Sequence, residues 1–313
     1  MIDLKLYREI KVVELTTLLL LWLTACMLTL VFKGFYNQDM GVSIHVVESL
    51  EGVGFLDALQ TNSIVLYLLR IVGDTLLFQG NYTLLMYWFY LIAQTYIVYS
   101  FAKHAGLYYA IVILLIVFFT VILNQMRFGL AISVMLISFE KNSDTESFNW
   151  SILILGLLMI LLHIFVGIFY FLYITVRKFQ SLIYIIGIAI VLGYSSLVFF
   201  LEDSRYIFYL EEDAERGSFS SLLFLVIYGI GFSSLDRFHR IFFMFLLVMA
   251  GFSYNLASVS SRLSELSIIF LLVVLSKKET TIWTKLLLLG CGISFFSYRA
   301  FNWFVMGQVP LSP

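Results

Sequence analysis

The stretch 82–102, YTLLMYWFYLIAQTYIVYSFA, contains no charged side chain, and the stretch 107–123, LYYAIVILLIVFFTVIL, contains none either. A helix that crosses a lipid bilayer needs about 20 consecutive apolar residues. Backbone groups within lipid must find their hydrogen bonds inside the segment, which makes a helix the expected form. The two stretches therefore predict two membrane-spanning helices.

The composition of the whole chain agrees with this prediction. Of the 313 residues, 61% are hydrophobic and 12% are charged, whereas soluble domains carry about 25% charged residues. A soluble domain of this length would leave too much apolar surface in water. The composition therefore excludes a soluble domain, a disordered chain, a nucleic-acid-binding protein and a disulfide scaffold.

Other apolar stretches extend the pattern to most of the chain. Those long enough to span a bilayer are 12–32, 151–176, 181–201, 239–256, 257–275 and 282–306, and shorter ones are 63–78, 124–139 and 220–235. We predict an all-α, polytopic integral membrane protein with about 9–11 transmembrane or partial helices. The chain is expected to form a single transmembrane domain over 1–313, with outer loops at 33–62 and 202–219.

The positions of Lys and Arg in the short loops predict the orientation, because positively charged loops stay in the cytoplasm. Lys5, Arg8 and Lys11 place the N-terminus in the cytoplasm, and the C-terminus is then expected outside. Two arrangements of 63–78 and 124–139 remain open. Either both segments span fully or both are short helices in the outer leaflet, and the later segments keep their orientation in either case.

Segment lengths and the position of Lys103 favour the arrangement with two short outer helices, and in it six of the ten arginines fall in the outer half, where topology does not require them. Arg binds phosphate with a planar fork that Lys lacks. The pattern therefore predicts an anionic ligand with phosphate groups on the outer face. The six residues are Arg70, Arg127, Arg205, Arg216, Arg262 and Arg299.

Arg127 lies in the run Arg127-Phe128-Gly129-Leu130-Ala131, whose small residues let a bulky partner approach closely. An ionisable side chain at membrane depth is costly and indicates a function. The alternative is an arginine at the interface whose guanidinium reaches the lipid headgroups.

Three other residues are candidates for chemistry. His163 lies inside the stretch 151–176, roughly 18 Å from its start, and is either a proton acceptor or a hydrogen-bonded core residue. Arg262 and Glu265 are three residues apart and lie on one helical face. They form either a pyrophosphate-binding arginine held by a carboxylate or a local ion pair.

Two more arginines have sequence neighbours that suit a role in holding the fold together. Arg70 and Asp74 are four residues apart on the stretch 63–78, which predicts a structural ion pair. Arg299, beside Tyr298, is a similar case or lines a cavity.

Motifs for metals and nucleotides are missing from the sequence. It contains no phosphate-binding Gly-rich loop, no HExxH and no cysteine–histidine metal spacing. We therefore expect neither a metal nor a nucleotide cofactor, so the energy for any reaction comes from the substrate or from an ion gradient.

The order of these features resembles the EpsG/Wzy group of bacterial polysaccharide polymerases over nearly the whole chain. The matches are an acid in the first outer loop, the Arg-x-Gly-x-Ala run, a histidine in the next long helix, and a Tyr-rich loop ahead of a late arginine. They correspond to Asp39, to Arg127 through Ala131, to His163, and to the loop 205–219 with Arg205, Tyr206 and Tyr209 before Arg262. The chain has Met40 and Leu266 where the family often has aromatic residues.

The resemblance implies a multi-pass glycosyltransferase that polymerises undecaprenyl-pyrophosphate-linked repeat units on the periplasmic face of the bacterial inner membrane. Donor and acceptor are both lipid-linked glycans, and the leaving group is undecaprenyl pyrophosphate. A chain-length regulator and a flippase are the expected partners, and nucleic acid is not. The implied base is His163, Asp39 or Glu265, and the implied substrate-binding residues are Arg127, Arg262, Arg299, Arg205, Tyr206 and Tyr209.

Two other functions fit the same features. A lipid-linked oligosaccharide flippase, or another transporter, would bind the pyrophosphate without reacting with it. Another polyprenyl-sugar-dependent membrane glycosyltransferase would use an outer carboxylate such as Asp39 as its base.

Overall fold

The computed structural model describes residues 38–52, 54–55, 64–75, 78–118, 121, 126–142, 150–178, 214–252 and 257–304. About 90% of these residues are helical and none of them lies in a strand, which confirms the prediction of an all-α fold. The predicted segments 12–32 and 181–201 lie outside the described residues, and so do Arg205, Tyr206 and Tyr209. The backbone of Arg216 is described, but its side chain is not.

The described part of the chain forms ten helices. The first five are α1 (Gln38–Ser49), α2 (Ile64–Gly73), α3 (Tyr82–Val117), α4 (Met126–Asn142) and α5 (Trp150–Leu162). The others are α6 (Ile164–Lys178), α7 (Ala214–Gly231), α8 (Arg237–Phe252), α9 (Ala257–Ser276) and α10 (Ile282–Phe304), with a 3₁₀ turn over Phe232–Ser234 before α8. The stretches predicted as outer loops are partly helical, because α1 lies within 33–62 and α7 begins within 202–219.

One described helix, α3, is long and apolar enough to cross a membrane, with a mean hydropathy of 1.7 over its best window. Shorter apolar helical stretches cover Met126–Phe139, Trp150–Leu162 and Phe219–Ser234. Large apolar side chains also point outward from several helices, and Ile92, Trp150 and Trp283 are each more than half exposed.

α3 is bent at Gly106, whose φ and ψ are 72° and 160°. These angles belong to a region that only glycine enters at low cost. The bend falls between the predicted stretches 82–102 and 107–123, and the described helix covers the second of them as far as Val117. Each part is thus a regular helix, and a single glycine changes the chain direction between them.

The structure corrects the predicted span 151–176. It is not one helix, because α5 ends at Leu162 and α6 begins at Ile164, with His163 between them. A Cβ atom on Gly167 would lie 2.8 Å from the backbone nitrogen of Ile160, whereas residues seven apart in a straight helix are about 10 Å apart along the axis. The chain therefore bends sharply at His163, and the prediction that this residue lies inside a straight span is wrong.

The chain divides into two compact units, with the boundary inside α6 after Ile168. In the first unit α4 packs between α3 and α5, while α1 packs on α2 and α3. A Cβ atom on Gly129 would lie 2.6 Å from Ile97 Cδ1 and 2.8 Å from Val121 Cγ1. The glycine of the Arg-x-Gly-x-Ala run therefore lets α4 approach its neighbours closely.

Arg70 connects α2 to the end of α1 in the first unit. Its guanidinium donates hydrogen bonds to the carbonyl oxygens of Val47 and Glu48, at 3.1 and 3.0 Å. It also forms ion pairs with Asp74 at 3.6 Å and with Glu51 at 3.9 Å. The predicted structural pair of Arg70 and Asp74 is thus confirmed.

In the second unit α9 packs against both α7 and α8, and α10 packs against α7. A cluster of aromatic rings fills the contact of α8 with α9 and the end of α6. The rings of Tyr173 and Phe270 lie 4.8 Å apart and those of Tyr173 and Phe242 lie 5.2 Å apart. All three residues are buried, so aromatic contacts form one part of the core of this unit.

Replacing Gly106 by alanine should destabilise the protein by about 1–3 kcal/mol, because the side chain enters a strained backbone region. No atom lies within 4 Å of the added methyl group. The loss of stability therefore comes from the backbone conformation and not from a steric clash. Gly290→Ala is the matched control, since its Cβ also meets open space within α10. That variant should gain up to about 1 kcal/mol from helix propensity. Thermal unfolding in detergent measures both, and an unchanged Gly106→Ala midpoint would contradict the strained bend.

Candidate functional site

Arg127 is the second residue of α4 and is partly buried. Its guanidinium makes no hydrogen bond or ion pair with any described residue, although the surrounding unit is apolar. A cation in such surroundings needs an anion or water to compensate its charge. The first turn of a helix also presents backbone N–H groups, which attract anions. The start of α4 is therefore suited to a phosphate group.

Phe128 connects this arginine to His163. The Phe128 side chain is completely buried, and its ring meets the imidazole edge-to-face with centroids 4.9 Å apart. Two predicted site residues, Arg127 and His163, thus lie on adjoining helical segments of the first unit. We name Arg127, Phe128 and His163 the Arg127 site.

The bend at His163 determines where its imidazole lies. The His163 N–H still donates to Met159 O at 2.7 Å, and the His163 carbonyl accepts from Val166 and Gly167 at 3.0 and 3.3 Å. The backbone is therefore hydrogen-bonded on both sides of the break, and only the direction of the chain changes. The side chain as a whole remains partly exposed at this junction, although its Nδ1 atom is buried.

Serine hydroxyls line the contact of α7 with α9 in the second unit. Ser221 Oγ lies 3.1 Å from Ser260 Oγ and 3.0 Å from Ser264 Oγ, and Ser220 Oγ lies 3.3 Å from Ser261 Oγ. We name these five residues the serine seam. Hydrogen bonds of this kind hold apolar helices together at close distance.

Glu265 extends the serine seam. Its side chain is 2% exposed, and its Oε1 accepts a hydrogen bond from Ser261 at 3.5 Å. A buried carboxylate on an apolar helix is a candidate proton acceptor or a member of a polar helix contact. Arg262 lies one turn away and is partly exposed. A direct pair between Arg262 and Glu265 stays a prediction.

Arg299 packs against an aromatic stack. Its guanidinium lies 5.1 Å from the Phe295 ring centroid. Phe219 stacks on Phe295 at 5.5 Å and on Tyr298 at 4.5 Å. Tyr298 is 45% exposed, so one face of the stack is open for an apolar or sugar ring. Phe219 is a contact residue that the sequence did not single out.

The predicted site residues are thus distributed over both units. Arg127 and His163 belong to the first unit, whereas Arg262, Glu265 and Arg299 belong to the second. The Asp39 backbone lies in α1, and its side chain is outside the described part. No three His, Cys, Asp or Glu side chains within the described ranges come together as a metal site.

A further polar cluster, which the sequence analysis missed, joins α6, α8 and the end of α9. Asp236 accepts hydrogen bonds from the His239 backbone at 3.0 Å and from His239 Nδ1 at 2.7 Å. Lys278 Nζ lies 3.3 Å from the same carboxylate, and His239 Nε2 lies 3.4 Å from the Tyr173 hydroxyl. The signal in the sequence is an Asp three residues before a His at a helix start, which is N-cap spacing.

Comparisons with known proteins identify no relative of this chain. The sequence matches no protein-family model and no curated protein, and no solved structure matches its fold. The resemblance to the EpsG/Wzy group therefore stays a prediction, and the function has to be inferred from the chemistry of the described residues.

The Asp236 cluster makes stability depend on pH. Partial burial tends to raise the pKa of Asp236, but the hydrogen bonds from His239 and Lys278 outweigh it and lower the pKa to about 2. A carboxylate with a lowered pKa stabilises the fold above about pH 4, and this contribution disappears as the pH falls towards 2. Asp236→Asn should therefore unfold at a lower temperature than wild type at pH 6, and the difference should shrink between pH 4 and pH 2.

Thermal unfolding in detergent over a pH series measures this difference. Glu279→Gln is the control, because Glu279 is an exposed acid close to Lys278 in the sequence. A difference between Asp236→Asn and wild type that stays constant down to pH 2 would contradict the assignment.

Proposed function

We propose that this chain is a multi-pass protein of the bacterial inner membrane that joins lipid-linked glycan repeat units on the periplasmic face. The observation that carries the proposal is Arg127, a partly buried guanidinium without a partner among the described residues. A pyrophosphate group matches its charge and its forked geometry. The apolar helices and the outward-facing Ile92, Trp150 and Trp283 support a lipid environment.

The reaction follows from an acceptor hydroxyl and a glycosyl pyrophosphate. The hydroxyl oxygen attacks the anomeric carbon of the donor sugar and forms the new glycosidic bond. The bond from that carbon to the pyrophosphate oxygen breaks, and the oxygen keeps the electron pair. The base takes the hydroxyl proton. Undecaprenyl pyrophosphate leaves, so the donor itself provides the driving force.

Each proposed residue has a role in this step. Arg127 stabilises the charge that develops on the leaving pyrophosphate, and His163 accepts the proton. The resemblance also implies substrate binding by Arg262, Arg299, Arg205, Tyr206 and Tyr209, and these roles stay predictions. Asp39 and Glu265 are the other candidates for the base. A flippase would supply the substrate, and a chain-length regulator would act on the product.

Arg127→Ala should abolish chain growth, because preorganised charge at a leaving group contributes roughly 10²–10³-fold in rate. Arg127→Lys keeps the charge but loses the fork, so its effect should be intermediate. The measurement is the length distribution of lipid-linked glycans in cells that carry only the variant. Lys103→Gln, which removes an exposed cation from the same unit, should leave the distribution unchanged.

Single repeat units that accumulate on the outer face of Arg127→Ala cells support the polymerase. Chains of normal length would show that Arg127 has no part in catalysis. Repeat units that remain on the cytoplasmic face in a deletion strain would favour the transporter instead.

Two conservative variants distinguish the candidate bases. His163→Phe preserves the edge-to-face contact with Phe128 but removes the proton acceptor, so we expect roughly 10²–10⁴-fold slower transfer. Glu265→Gln keeps an oxygen that accepts from Ser261 and should retain most of the activity. The assay is transfer by purified protein in membranes that contain a lipid-linked donor and acceptor. If Glu265→Gln is inactive and His163→Phe is active, Glu265 is the base.

A further inference from the structure

The turns before α8 and after α9 are joined at one end of the second unit. Lys278 Nζ reaches the Asp236 carboxylate at 3.3 Å, so the two turns lie side by side. Arg240 fixes the first turn, since it donates to the carbonyls of Phe232 and Ser233 at 3.1 and 3.2 Å. Its guanidinium also lies 4.8 Å from the Phe232 ring centroid. Lys278 and Arg240 therefore both interact with groups of the protein itself.

Two other cations adjoin this bridge and make no such contact. Arg237 follows Asp236 directly and Lys277 precedes Lys278 directly, so the bridge between the turns brings both to the same end. Both side chains are exposed, and neither forms a hydrogen bond or ion pair with a described residue. The one acid next to them in the sequence besides Asp236 is Glu279. This end of the unit therefore presents net positive charge to its surroundings.

Exposed apolar side chains follow Lys277 closely in the sequence, at the start of α10. Trp283 in the first turn of α10 is 72% exposed, and Ile282 next to it is 65% exposed. The hydroxyl of Thr281 accepts from the Thr284 N–H at 3.2 Å and so caps the start of this helix. Tryptophan next to Lys and Arg is the pattern of a protein surface at a membrane–water boundary, where the indole lies at the level of the headgroups.

We propose that Arg237, Lys277 and Trp283 form a binding surface for anionic phospholipids. The two cations bind the phosphate groups of the lipids, and the indole inserts beside the upper part of the acyl chains. The internal bridge from Asp236 to Lys278 holds the turns so that the two free cations face the same layer of headgroups. This inference rests on the membrane location in the proposed function, but it is independent of the glycan chemistry.

Two full-length variants, each with a single tryptophan, test the surface. One retains Trp283 and the other retains Trp150, which is 76% exposed in the first turn of α5, and the remaining tryptophans become phenylalanine. Each is reconstituted into phosphatidylcholine bilayers that contain a fixed minority of phosphatidylglycerol. Two samples of each variant are compared, one with brominated phosphatidylglycerol and one with brominated phosphatidylcholine, at the same total amount of bromine. The quenching of the tryptophan fluorescence is measured in both.

Brominated phosphatidylglycerol should quench Trp283 more than brominated phosphatidylcholine does, with an enrichment of roughly fivefold for each cation. Trp150 should show no preference between the two lipids. The double variant Arg237→Gln/Lys277→Gln should remove the preference at Trp283, because both side chains are exposed and the fold does not depend on them. High salt should reduce the preference in the unchanged protein.

Equal quenching of Trp283 by the two lipids would overturn the anionic surface and leave the membrane location intact. A preference that persists in the double variant, or that appears equally at Trp150, would also overturn it. If neither lipid quenches Trp283 or Trp150, the membrane location fails as well, and the proposed function fails with it. Defective glycan transfer with normal lipid preference would instead reject the proposed function alone.

Discussion

A guanidinium that leaves water needs a compensating partner, because an uncompensated charge in apolar surroundings costs more than most single contacts contribute. Arg70, Arg240 and Arg299 have such partners. Arg70 uses carbonyl oxygens and carboxylates, Arg240 uses carbonyl oxygens, and Arg299 uses an aromatic ring. Arg127 is different, since its compensation has to come from outside the described residues. Local partners thus separate structural arginines from a candidate ligand-binding one.

Much of the helical fold could be predicted from the sequence, because long uncharged stretches allow few alternatives. The boundaries of α9 and α10 lie close to the predicted segments 257–275 and 282–306. The pair of Arg70 with Asp74 could be predicted as well, since residues four apart on a helix are neighbours. Both successes depend on contacts that are local in the sequence.

The remaining features depend on contacts between distant residues, and for this reason the sequence pattern did not reveal them. The residues around His163 are apolar on both sides, and no proline marks the bend. The cluster of Asp236, His239 and Tyr173 brings together α6 and α8, and its tyrosine and histidine are 66 positions apart in the sequence. For the candidate site, the sequence identified Arg127 and His163, but the ring of Phe128 that connects them becomes evident only from the packing of α4.

Two glycines of the first unit are required for unrelated reasons. At Gly106 the surrounding space is open and the torsion angles are the obstacle, so what matters there is the absence of a chiral side chain. At Gly129 the backbone is ordinary helix and the obstacle is the volume already filled by Ile97 and Val121. Compensating substitutions of neighbouring residues can therefore help at position 129 but not at position 106. Smaller neighbours at 97 and 121 can make room for a larger residue at 129, whereas no change of neighbours relieves the demand at 106.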